Sequence, residues 1–88
     1  MDAIRLDPDQ IQQPYSLMTK RTGTGDRELT IEISCHADRR AALDALYDHI
    51  HLMTSKGFTC ERVNLLRWKA ERWDPDKLIQ CAIWITEK

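Results

Sequence analysis

Residues 37–56 read ADRRAALDALYDHIHLMTSK and run directly into Gly57-Phe58. At about 100° per residue, Ala42, Leu46, Ile50 and Met53 fall in one narrow stripe, with Leu43 beside it and Tyr47 at its margin. Arg40, Asp44, Asp48, His51 and Ser55 fall on the opposite side, toward water. Asp38 lies in the first turn and Lys56 in the last, each with the sign the helix dipole favours. Gly57 can take the left-handed conformation that closes a helix, and Phe58 is placed to pack back on the last turn, as in a Schellman motif. The spacing therefore predicts one amphipathic helix lying on an apolar layer.

That layer is sought in the flanking segments, which alternate with a period of two. In ELTIEISC, residues 28–35, Leu29, Ile31, Ile33 and Cys35 take one face and Thr30, Glu32 and Ser34 the other. The first set is expected to meet the helix stripe. After the helix, residues 59–72 (TCERVNLLRWKAER) read as one strand, and Trp73-Asp74-Pro75-Asp76 as the turn into KLIQCAIWITE, residues 77–87. In that last strand Ile79, Cys81, Ile83 and Ile85 alternate with Gln80, Ala82, Trp84 and Thr86. Its continuous apolar content places it inside the sheet, between the strand before the helix and the one after it.

Before these elements, YSLMTKR (15–21) alternates weakly and reads as a further strand, with TGTGD (22–26) as a loop of hairpin length. Residues 1–14 are polar and expected to be loosely held. Asp7-Pro8 there has the form of a helix start, and Pro14 stops anything begun there. The order is (β)βαββ, and a strand–helix–strand crossover is expected to be right-handed. The expected fold class is α+β: a two-layer sandwich in which one long helix covers one face of a four-stranded, mainly antiparallel sheet. Residues 15–88 form a single domain in this reading.

Composition narrows the function classes. A formal charge of −1 and a pI near 6.3 give no global attraction to nucleic acid or anionic membrane. With 42% apolar and 31% charged residues, the chain is ordinary for a globular protein and unlike a disordered one. No apolar run approaches the roughly 20 residues of a membrane span, and no apolar signal region follows Met1. Three widely spaced cysteines without a CxxC pair predict reduced thiols in a cytoplasmic protein.

Chemistry-bearing patterns are weak. Cys35-His36 lies at a strand-to-helix junction, where a thiol can be activated, but Cys35 is in phase with Leu29, Ile31 and Ile33 and is expected under the helix. His49 and His51 are two apart on a helix and point about 200° from each other, so they cannot share a metal ion. His49 is expected to border the core and His51 to be solvated. Cys60 and Cys81 fall on opposite parities of neighbouring strands. Asp44 and Asp48 share the solvent side of the helix, where no pocket supports acid–base work. TGTG precedes a strand, not a helix, and so lacks the setting of a phosphate loop. No catalytic, metal or cofactor site is expected.

The informative region is LLRWKAERW, residues 65–73, with Trp84. If the turn at 73–76 closes the hairpin, Leu66 falls opposite Trp84 and Trp68 opposite Ala82, all four pointing away from the helix. Two indoles and a leucine on that sheet face form an apolar patch that either is covered by residues 1–14 folding back or marks an interaction site. Arg67, Lys69 and Arg72 flank it, with Trp73 at the hairpin end and only Glu71 in opposition. The expected function is a small non-enzymatic binding protein (a regulator, inhibitor or assembly factor) acting on a protein partner or on a second copy of itself. The alternative is an RNA- or single-stranded-DNA-binding module that stacks bases on the tryptophans and tracks phosphates with Arg67, Lys69 and Arg72. A thiol enzyme centred on Cys35 ranks third.

Overall fold

The computed structural model describes residues 13–23 and 28–87. The N-terminal segment read from the sequence, with its helix start at Asp7-Pro8, lies outside the described residues apart from Gln13 and Pro14, as does most of the loop at 22–26. The described chain is α+β: β1 (Tyr15–Gly23), β2 (Leu29–His36), α1 (Arg39–Ser55), β3 (Thr59–Asn64), β4 (Arg67–Trp73) and β5 (Leu78–Glu87). Every ladder is antiparallel, and the strand order is β2-β1-β5-β4-β3. The two strands joined through the helix are thus the two edges of the sheet. No described helix is long and apolar enough to cross a membrane.

The helix forms as its sequence dictates. Asp38 is the N-cap rather than a first-turn residue, and its Oδ1 accepts from the Ala41 N–H at 2.8 Å. Lys56 is the C-cap, and Gly57 follows at φ +92°. The Phe58 N–H donates to the Met53 carbonyl at 3.1 Å and the Gly57 N–H to the Thr54 carbonyl at 3.0 Å, which completes the Schellman closure. Ala42, Leu46, Ile50 and Met53 are buried together against Leu17, Ala70, Ile79, Cys81, Ile83 and Ile85. The core is therefore the helix stripe pressed on β1, β4 and, above all, β5.

Three expectations about the sheet are corrected. The sheet has five strands, not four, because residues 59–72 break at Leu65-Leu66 into the β3–β4 hairpin. Asn64 makes the break: its Oδ1 accepts from the Leu66 N–H at 2.9 Å, closing a side-chain turn. Strand β5 is central and lies beside β4, the C-terminal part of the expected strand 59–72, but its other neighbour is β1 rather than β2. The third correction is register. Asp74 donates its N–H to the Lys77 carbonyl at 2.8 Å, so Lys77 belongs to the turn, and Trp73 pairs with Leu78. This moves the β4–β5 pairing by one residue, which exchanges the faces of every β4 side chain relative to β5.

Candidate functional site

The shifted register divides the residues that the sequence placed on one patch. Trp68 stands opposite Ile83, Ala70 opposite Cys81 and Arg72 opposite Ile79, so β4 sends these three side chains to the helix side. Leu66 shares that side, half-buried against the core, as does Trp68. The Tyr47 ring meets the Trp68 indole edge-on, with centroids 6.3 Å apart. Arg72 also leaves the expected patch. Its guanidinium lies 4.8 Å over the Phe58 ring, donates to the Lys56 carbonyl at 2.7 Å and pairs with Asp74 at 3.4 Å.

Arg67, Lys69 and Trp84 remain together on the face away from the helix. Arg67 pairs with Trp84 in the ladder, and its guanidinium lies 5.1 Å from the indole centroid. Trp73 is two-thirds exposed at the hairpin end of the same face. Beside Trp84 the neighbouring strand β1 adds Met18, and one step along it adds Lys20, opposite Ala82. A shallow depression of about 290 Å³ is bordered there by Lys20, Thr22, Arg67, Lys69, Gln80 and Ala82. Met18, Ala82 and Trp84 are half-buried and form the apolar strip of the face. Charges on it are largely balanced: Lys20 pairs with Glu28 at 3.0 Å, and Lys69 with Glu61 at 3.5 Å. Gln80 Nε2 donates to Glu71 at 3.1 Å. Met18 and Lys20 escaped the sequence reading because YSLMTKR alternates weakly, although they stand at the alternate positions to the buried Leu17.

The same face carries Cys35, and this is a correction. Leu17 pairs with Ser34 but Met18 with Glu32, so Ile33 is an extra residue in β2. Such a bulge reverses the alternation beyond it. Leu29 and Ile31 stay on the helix side, whereas Cys35 crosses to the open side, opposite Ser16. Ser16 is fully buried and donates to Glu32 Oε1 at 2.6 Å, and Cys35 Sγ lies 3.1 Å from the same oxygen. His36 points to the helix side, sharing a 2.7 Å hydrogen bond with Ser34, and so cannot serve Cys35 as a base.

Cys60 and Cys81 both face the helix, flanking Ala70, against the sequence expectation of opposite parity. Strand β4 separates theirs by about 9–10 Å, beyond the reach of a disulfide. Burial pushes the Cys81 thiol up, although Arg21 and Arg72 pull the other way. Among the described residues no group of three or more His, Cys, Asp or Glu is placed to hold a metal ion. Comparison with protein-family models, with curated proteins and with solved structures gives no match to this chain.

Proposed function

We propose that this chain is a non-enzymatic binding protein that holds a protein partner, a second copy of itself included, against the sheet face away from the helix. The observation that supports the reading is the Arg67–Trp84 stack beside the Met18–Ala82 strip. Stacked Arg–Trp pairs on a half-buried apolar strip combine the residue types that dominate interface energetics. The balanced charges favour a protein over a nucleic acid as partner. Glu28 and Glu61 already engage Lys20 and Lys69, which would have to part to meet phosphates. Trp84 has one face under a guanidinium and Trp73 stands apart at the far end of the hairpin, so the two indoles are also a poor platform for successive bases.

The test is sedimentation of the purified chain over a wide concentration range, followed by capture of partners with and without nuclease. Trp84→Ala and Arg67→Glu should each abolish the assembly while leaving the circular dichroism of the helix unchanged. Assembly that survives both changes rejects this face. Binding that nuclease destroys, and that falls steeply with salt, transfers the face to nucleic acid.

A further inference from the structure

On the opposite side of the sheet the helix leaves part of its own layer uncovered. Leu29 and Ile31 face the helix side, yet they are 54% and 47% exposed. The gap is a groove of about 500 Å³, floored by Thr19, Arg21 and Cys81 and walled by Leu29 and Ile31 opposite His49 and Met53. That volume is in the range of small-molecule sites.

Its charge is one-sided. Arg21, Lys56 and Arg72 stand at the end nearest the helix C-terminus, and no described lining residue is a carboxylate. Arg72 is spoken for by Asp74 and by the Lys56 carbonyl. Among the described residues, Arg21 and Lys56 form no ion pair. The helix C-terminus would ordinarily repel an anion. Here the Schellman bonds and the Arg72 guanidinium occupy the Met53, Thr54 and Lys56 carbonyls.

We infer that this groove binds a small amphipathic carboxylate, with the acid group between Arg21 and Lys56 and the apolar tail along Leu29, Ile31 and Met53. The site is separate from the sheet face described above, on the other side of the sheet. Apolar walls bury the tail, and two unpaired cations supply charge-assisted hydrogen bonds to the head group.

Decanoate, kept below its micelle concentration, is the probe, and decanol is its uncharged counterpart. Calorimetric titration of the full chain should show saturable decanoate binding at one site, with decanol weaker by about tenfold or more, the scale of a lost charge-assisted hydrogen bond. The double variant Arg21→Gln, Lys56→Gln should lose a similar factor. Both residues are exposed, so its thermal unfolding should match the parent's. Site-resolved alkylation adds position: decanoate should slow Cys81, on the groove floor, and leave Cys35, on the other face, unchanged. The proposal is overturned if binding does not saturate, if decanol binds as well as decanoate, if the double variant keeps full affinity, or if Cys81 is not protected.

Discussion

Trp68 stands opposite Ile83 in the β4–β5 ladder, and its indole is thereby turned beneath the helix against Tyr47. Its Nε1 is buried and donates to no acceptor among the described residues. A buried donor without a partner costs about 1–3 kcal/mol of desolvation, which subtracts from what the ring contributes by packing. Trp68→Phe removes the donor and keeps most of the apolar surface, so it should change stability by no more than about 1 kcal/mol. Trp68→Ala removes both and should cost about 3 kcal/mol, the low end for a large aromatic because the site is only half-buried. Urea denaturation of both variants checks the pair. Equal losses would mean that the indole N–H finds an acceptor in solution.

The Gly57 prediction concerns the helix end. At φ +92° an L side chain is strained whatever space surrounds it, although a Cβ there would meet only Arg72 Cδ at 3.5 Å. Gly57→Ala should therefore cost about 1–2 kcal/mol through the backbone alone. Thermal unfolding measures it, and a neutral result would show that the Schellman closure is not maintained.

The helix could be read from the sequence in all but its exact ends, where Asp38 proved the N-cap and Lys56 the C-cap, because its signals are local. The stripe, the Asp38 cap and the Gly57 closure all lie within one stretch of chain. The sheet was legible only in class. The Leu65-Leu66 turn contains neither Gly nor Pro, and no described non-glycine residue has positive φ, so the primed turn chemistry that marks short hairpins is absent. One residue of turn at Lys77 then decided whether Trp68 was surface or core. The bulge at Ile33 left no mark either: ELTIEISC alternates without a break while its backbone does not. Of the expected patch, Arg67, Lys69, Trp73 and Trp84 share the open face, while Leu66, Trp68 and Arg72 do not.

Acid should weaken the fold through His49. Burial, followed by the nearby Lys56 charge, holds its pKa below the ordinary 6.5. A depressed folded pKa means that the unfolded chain binds the proton first, so stability rises with pH across this window. The His49 contribution is complete above about pH 6.5 and is lost as pH falls through that value toward the lower folded pKa. His49→Gln should flatten this part of the stability–pH curve, measured by denaturation at fixed ionic strength. An unchanged slope would assign the acid sensitivity to other groups.

The last prediction concerns how firmly Arg67 holds Trp84, because a binding face has to yield to its partner. The guanidinium is exposed, and at such sites a cation over an indole contributes about 0.5–1 kcal/mol. A stack of that strength orders the face without locking it, and a partner that supplies its own contact to the ring can displace the arginine at small cost. The measurement is a double-mutant cycle on stability with Arg67→Met, which keeps the apolar stem, and Trp84→Leu, which keeps an apolar side chain on β5. The coupling energy should fall near 0.5–1 kcal/mol and change little with salt, since the charge and the ring are in contact. A coupling near zero would mean that the stack does not persist in solution. A coupling above about 2 kcal/mol, the size reached when such a pair is desolvated, would mark a structural clamp. The indole would then be held by its own chain and unsuited to docking, and the proposed function would lose its supporting observation.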